Sequence, residues 1–212
     1  MIKPTEREKK LFQDRKIKKI LAIDEVGRGA LAGPFFVAGL IVSRQSFKKL
    51  KKLPIADSKK LSPNQRQLIF AQIKNLGLVY KIIKTEANKI DRFGLSQAWL
   101  NSINQLIERF KPDLTLIDGP IRLAKPIRYE SWIKGDEKII SIGASSIVAK
   151  VERDSLMKKL AVNFPFYRFE QNKGYGTSRH IAAIKKFGLS PIHRQSFRIK
   201  KSAWVRSGKN SI

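Results

Sequence analysis

The chain has 212 residues, of which 44 are Lys or Arg and 17 are Asp or Glu, giving a formal charge of +27, while 42% of positions are apolar. That apolar share excludes a disordered polycation and suits one globular domain, being short for two cores; the absence of cysteine excludes disulfides and thiol nucleophiles, leaving any metal to oxygen or to two histidines. No apolar run reaches the ~20 residues of a membrane span, and MIKPTEREKKLFQ lacks the apolar stretch of a signal peptide, so a cytoplasmic location is expected.

Residues 1–16 are polar and mostly charged, which predicts a basic N-terminal arm or short helix outside the core. Lys19–Val26 follows with the continuous apolar run Ile20, Leu21, Ala22 and Ile23, the pattern of a strand covered on both faces. After the turn GRGALAGP, Phe35–Val42 reads as a second strand returning in hairpin fashion. Lys48–Lys60 is a basic loop carrying DSKK, and Ser62-Pro63 opens a helix to about Asn75 by cap and first-turn preference. Gly77 closes it, and Leu78–Thr85 is β-branched enough for a third strand. Gln97–Phe110 carries Ala98, Ile103, Leu106, Ile107 and Phe110 at helical spacing, and Lys111-Pro112 ends it. Leu114–Asp118 is a short buried strand. Ile139–Val162 is a long helix whose Gly143, Ala144, Ser145, Ser146 and Ala149 permit close approach to a sheet. A last helix spans Ser178–Phe187 after KGYGT, with Gly188 and Pro191 at its end. Strands alternating with helices define an α/β fold.

Charge is uneven along the chain. No acid follows Glu170, whereas Lys173, Arg179, Lys185, Lys186, Arg194, Arg198, Lys200, Lys201, Arg206 and Lys209 do. Such a one-sign field attracts a polyanion by counterion release, so nucleic acid is the leading partner; a solvated surface in a lysine-rich chain would carry the same charge.

Two strands end alike, KILAID in Asp24 and LTLID in Asp118. Aspartate is disfavoured in strands, and a carboxylate beside a buried run needs compensation. If the strands are parallel neighbours, both acids emerge at the carboxyl edge of the sheet, where α/β folds place their sites. Glu25 adds oxygen donors, although adjacent residues on a regular strand face opposite ways; either the strand bends there, as Gly27 and Gly29 allow, or Glu25 contributes its backbone oxygen. Asp136, in KGDEK ahead of the long helix, is a fourth candidate, or else an acid favouring the helix dipole. Converging carboxylates repel by about 4 kcal/mol per close pair at an effective dielectric of about 20. A divalent cation removes that cost, and oxygen-only ligands suit Mg2+ or Mn2+, which in pairs about 4 Å apart activate water against a phosphodiester.

Gly27-Arg28-Gly29 with Ala32 fits the dinucleotide fingerprint G-x-G-x-x-A. That reading fails on context, because Pro34 and a strand follow instead of a helix and no acid stands near residue 45 for a ribose. Backbone amides near phosphate remain one reading, a tight turn needing positive φ the other. His180 falls on a surface helix and is expected to face solvent; with His193 it forms no serine–histidine–acid pattern. Tyr175, between Gly174 and Gly176, either stacks on a sugar or base or packs on the core.

In order along the chain, AIDEVGRGALAGP, DSKKLS, LIDG, KGD, SIGASSIVAKVERD, NKGYGTSRHIAAI and SPIHRQSF resemble ribonuclease HII, the type 2 ribonuclease H. The resemblance implies a ribonuclease H-like mixed five-stranded sheet flanked by helices, in a catalytic domain over 17–197 with a basic tail over 198–212. It implies hydrolysis of the phosphodiester 5′ of ribonucleotides in RNA/DNA hybrids and in DNA duplexes with embedded ribonucleotides, leaving 3′-hydroxyl and 5′-phosphate ends. Asp24, Glu25, Asp118 and Asp136 match the family's catalytic carboxylates, which bind Mg2+ or Mn2+. Gly27, Arg28 and Gly29 match the loop that contacts the ribose 2′-hydroxyl and neighbouring phosphate, and Tyr175 the tyrosine that senses the following sugar. A monomer is expected. Ala30 stands where proline is common, Ser145-Ser146 replaces a more alanine-rich pair, and the chain stops at Ile212 where many relatives continue into a helical appendage. Arg28 and the short N-terminus argue against ribonuclease HIII. The rival is a catalytically silent nucleic-acid binder, for which charge and Tyr175 would suffice, but strand-end acids would repel its ligand unless metals intervene.

Overall fold

Helix α1 (Pro4–Leu11) belongs to the body of the fold and is no arm: Leu11, Phe12 and Ile17 are buried in the main core, and Glu8 is wholly buried. The reason lies at its C-terminal end, where apolar Leu11 and Phe12 follow the charged turns and Phe12 packs its ring on Phe47 at 5.5 Å. The computed structural model describes residues 4–55, 61–124 and 126–198; the DSKK segment and the chain after Arg198 lie outside the described residues.

Strand β1 (Lys19–Val26) buries Ile20 through Asp24, as its unbroken apolar run requires. Strand β2 (Phe35–Ser43) is followed at once by α2 (Arg44–Leu50), which takes Lys48–Leu50 out of the basic loop expected over Lys48–Lys60. Ser43 and Ser46 form a reciprocal capping box, and Phe47 and Leu50 are buried, so a cap and two apolar anchors outweigh the basic composition. Helix α3 (Pro63–Asn75) starts as its sequence dictates, with Ser62 capping Gln65, the Gln65 side chain returning to the Ser62 amide, and Pro63 in the first turn. Strand β3 (Tyr80–Thr85) leads into α4 (Ala87–Phe93), a short helix that the periodicity did not announce, held by buried Ala87 and Ile90 and closed by Gly94 at φ +81. Helix α5 (Leu95–Phe110) and strand β4 (Leu114–Asp118) match the expected pattern. Strand β5 (Tyr129–Trp132) is an edge strand without an apolar run, recruited by pairing to β4. Helix α6 (Gly135–Lys138), α7 (Ile140–Asn163), a 3-10 turn (Pro165–Tyr167), α8 (Phe169–Asn172) and α9 (Ser178–Phe187) complete the described chain.

The strands form one mixed sheet in the order β3-β2-β1-β4-β5, flanked by helices. Strand β1 pairs β4 in parallel, Ile23 opposite Ile117, and β4 pairs β5 in parallel, Asp118 opposite Trp132. The chain divides into two compact units. The first comprises residues up to Val26, Val37–Ile83 and Trp99–Val151; its core joins the sheet residues Ile20, Ala22, Leu40 and Leu116 to Ile142, Ile147 and Val148 of α7. The second comprises Gly27–Phe36, Lys84–Ala98 and the chain from Glu152, around a smaller core of Ala32, Met157, Ala161, Tyr167, Phe169, Ala183 and Ile184. Among the described residues no helix is long and apolar enough to cross a membrane.

Candidate active site

The four carboxylates all belong to the first unit, Asp24, Glu25 and Asp118 at the carboxyl ends of its parallel strands and Asp136 in α6. The register that sets Ile23 opposite Ile117 puts Asp24 and Asp118 one step further on neighbouring strands with the same pleat, so the two acids leave the sheet on the same face. Asp24 is buried; its Oδ1 accepts a hydrogen bond from the Glu25 amide at 2.7 Å, and Ser146 of α7 hydrogen-bonds its carboxyl. Burial, with the neighbouring charges of Glu25 and then Asp118, pushes the Asp24 carboxyl well above the ordinary range despite those hydrogen bonds.

Asp118 is only half-buried, and its Oδ1 accepts from the Gly135 amide at 2.6 Å. This bond anchors α6, the short helix that carries Asp136. Lys134 enters it at φ +55, and a side chain at Gly135 would meet Ile142, Trp132 and Asp118 Oδ1 at 2.8, 3.0 and 3.2 Å, so only glycine lets the backbone come so near. Gly143, eight residues on and in α7, does the same: a Cβ there would stand 2.8 Å from the Asp136 carbonyl oxygen. Asp136 is thus buried within its own short helix, in contrast to the simple dipole partner of the long helix that its sequence position also allowed.

Glu25 and Asp136 line one concavity of about 220 Å3, with Val26, Arg66, Ser146, Ile147 and Lys150. The alternation of strand faces therefore does not separate Asp24 from its neighbours: Asp24 turns inward to Ser146, and Glu25 opens onto the pocket that Ser146 also lines. Arg66 and Lys150 put cations beside two carboxylates, the mixture a surface needs to take a phosphate while holding acids. Sequence reasoning missed both. The available signal was the spacing of Ser146 and Lys150, one helical turn apart on a common face.

Among the described residues no three acidic or histidine side chains stand close enough to frame a metal ion as they lie. The donor chemistry nevertheless fits a hard divalent cation: the donors are oxygen only, and the cost of an Asp24 carboxylate buried beside the charges of Glu25 and Asp118 is one such an ion offsets.

The remaining predicted residues belong to the second unit. Gly27 is buried at φ +88, and the Ala30 amide closes a turn on its carbonyl at 3.3 Å, whereas Arg28 and Gly29 are exposed. Tyr175 is half-buried, with its amide on the Asn172 carbonyl at 2.9 Å. Its loop lies on the Gly27–Pro34 segment, because Leu31 and Ala32 donate to the Gly174 carbonyl at 2.8 and 3.2 Å. His180 does not face solvent. It is fully buried, with Nδ1 2.9 Å from the Tyr175 carbonyl and Nε2 3.0 Å from His193 Nε2, while His193 Nδ1 accepts from the Ser190 amide at 2.8 Å. The fixed ends set both tautomers: His193 carries its proton on Nε2 and gives it to His180 Nε2, and His180 donates Nδ1–H to Tyr175. The helix periodicity of α9 pointed the other way only because Phe169 and Tyr167, against which both rings pack, are distant in sequence.

A mixed sheet flanked by helices, with parallel neighbours that end in paired aspartates, is the fold this chain shares with solved ribonucleases HII. The family description "Ribonuclease HII" matches residues 21–200. Ribonuclease HII of Trichormus variabilis is 42% identical over 183 residues, covering 84% of this chain and 81% of that protein. Among solved structures, the ribonuclease HII of Archaeoglobus fulgidus in its PCNA complex superposes with a TM-score of 0.74 at 26% identity, over 86% of this chain and 96% of that one. A Bst ribonuclease HIII in complex with Mn2+ shares the fold at a TM-score of 0.68 and 18% identity, over 94% and 73% of the two chains. The chain belongs to the ribonuclease HII family, and a metal-dependent ribonuclease H-type activity on nucleic acid comes with that membership.

Proposed function

We propose that the chain is an endoribonuclease that cuts the phosphodiester 5′ of ribonucleotides in RNA/DNA hybrids and in DNA duplexes with embedded ribonucleotides, acting as a monomer in the cytoplasm through its 17–197 region. The observation that carries this reading is the pairing of Asp24 and Asp118 at the ends of parallel neighbours, with Asp24 buried among like charges. Asp24, Glu25, Asp118 and Asp136 would hold Mg2+ or Mn2+, which supplies activation of water and neutralisation of charge on the phosphodiester. The chain's own groups orient the acids: Ser146 and the Glu25 amide fix the Asp24 carboxyl, and the Gly135 amide fixes Asp118. Arg66 and Lys150 receive the phosphate. Water oxygen bonds to phosphorus and gives up a proton, the P–O3′ bond breaks, and the departing O3′ takes a proton to leave a 3′-hydroxyl and a 5′-phosphate.

Arg28 and Gly29 are assigned to the ribose 2′-hydroxyl and its phosphate, and Tyr175 to the sugar that follows. Exposure of residues 28 and 29 supports this, since a glycine with nothing near it leaves room for a ligand to reach the backbone. A duplex with one ribonucleotide, incubated with the protein and Mg2+ or Mn2+ and end-mapped, should be cut on the 5′ side of that residue. A 2′,3′-cyclic phosphate product would refute the attack by water, and an uncut duplex bound tightly would favour the silent binder.

A further inference from the structure

Within the second unit two buried arginines, Arg153 and Arg194, spend their donors on backbone carbonyls of the segments assigned to the substrate. Arg153 donates from Nε to Pro34 at 2.9 Å, from Nη2 to Ala32 at 3.2 Å and from Nη1 to Lys173 at 2.9 Å. The same guanidinium lies 5.5 Å from the centre of the Tyr175 ring, within cation–π range. Gly27 is shaped around it: a Cβ at that position would fall onto the guanidinium. Arg194 donates from Nε and Nη2 to the Gly33 carbonyl at 3.2 and 3.0 Å, and from Nη1 to the Arg28 carbonyl at 3.1 Å.

We propose that Arg153 and Arg194 are positioning residues for ribose recognition, Arg153 aligning the Tyr175 ring with the Gly27 turn and Arg194 setting Arg28. The proposal rests on the functional reading above. Burying a cation is costly, and a fold that needed only to close these loops could do so with backbone pairs such as Leu31 and Ala32 on Gly174. A planar fork does something those pairs cannot: it fixes three carbonyls from two segments, and one ring face, in a single rigid frame. Lysine keeps the charge and loses the fork.

The test is a pair of double-mutant cycles on cleavage of a duplex with one ribonucleotide, R153K with Tyr175→Ala and R194K with Arg28→Ala, each on protein shown folded by thermal melting. R153K alone should lower cleavage roughly ten- to a hundredfold, as displacement of a positioned group does. It should also shift the preference between that duplex and a continuous RNA/DNA hybrid in the direction of Tyr175→Ala. In the Tyr175→Ala background R153K should cost little more, because coupled residues are not additive. Equal losses in both backgrounds, with unchanged preference, would overturn the proposal by giving Arg153 a merely structural role. If R153K does not fold, the R194K cycle decides in the same way; unfolding of both would make the arginines requirements of the fold and refute positioning. A wild-type protein that cuts no ribonucleotide-containing duplex would sink the functional reading and this proposal together, whereas a cutting enzyme with additive losses sinks this proposal alone.

Discussion

Replacing Glu8 by glutamine should change how the stability of the protein depends on pH. Glu8 is fully buried, and its carboxylate accepts from the Ile140 amide at 2.8 Å, the Ser141 amide at 3.2 Å and the Ser141 hydroxyl, the first donors of α7 that no helical carbonyl can satisfy. Burial outweighs these bonds and pushes the carboxyl up from 4.5 to about 7. The native state therefore keeps a proton that the unfolded chain releases, so the stabilisation is fully present below pH 4.5 and is lost as pH rises to about 7. At roughly 1.4 kcal/mol per pKa unit, that difference corresponds to about 3 kcal/mol. Glu8→Gln retains an acceptor for the helix and abolishes the titration, at a fixed cost of about 1 kcal/mol for the imperfect cap. Urea unfolding of both proteins from pH 4.5 to 8 at constant ionic strength, followed by tryptophan fluorescence, measures it. The stability of Glu8→Gln relative to wild type should rise by about 3 kcal/mol across that range, and other titrating groups cancel in the difference. Parallel curves would show that Glu8 is solvated or already ionised at pH 4.5, and the reasoning from burial would fail.

Asp24→Asn should abolish cleavage while leaving unfolding at pH 7 unchanged or shifted to higher urea, since it removes a charge from a buried site already crowded by Glu25 and Asp118; near-normal turnover would end the carboxylate-site reading. Gly29→Val should hold stability within about 0.5 kcal/mol, because no heavy atom lies within 4 Å of its Cβ position, yet lower cleavage at a ribonucleotide. Gly27→Ala should instead destabilise by about 1–3 kcal/mol, as φ +88 and Arg153 both oppose a side chain; comparable melting of the two variants would contradict this. Burial and the adjacent His180 lower the His193 imidazole to about 4 from 6.5, so it contributes stability above pH 6.5 that is lost as pH falls toward 4. His193→Gln should flatten that acid loss by about 3 kcal/mol relative to wild type, and an unaltered acid limb in urea titrations would place the effect elsewhere.

What the residues determined alone were features with a local cause. The strands Lys19–Val26 and Leu114–Asp118 come out at the residues read from their apolar runs, as does Ser178–Phe187 between its Thr177 cap and Gly188. Paired acids at strand ends were legible because aspartate is costly there. Other features needed contacts between residues far apart in sequence. β5 has no apolar signature and exists by pairing with β4, and α1 enters the core through Phe12 on Phe47. His180 reads as surface on its own helix and is buried by Phe169, Tyr167 and His193. Arg153, Arg194 and Glu8 look like ordinary surface charges in a chain of charge +27. Only tertiary structure distinguishes them, because a side chain becomes a clamp or a cap when distant backbone groups, unsatisfied by their own segments, are folded against it.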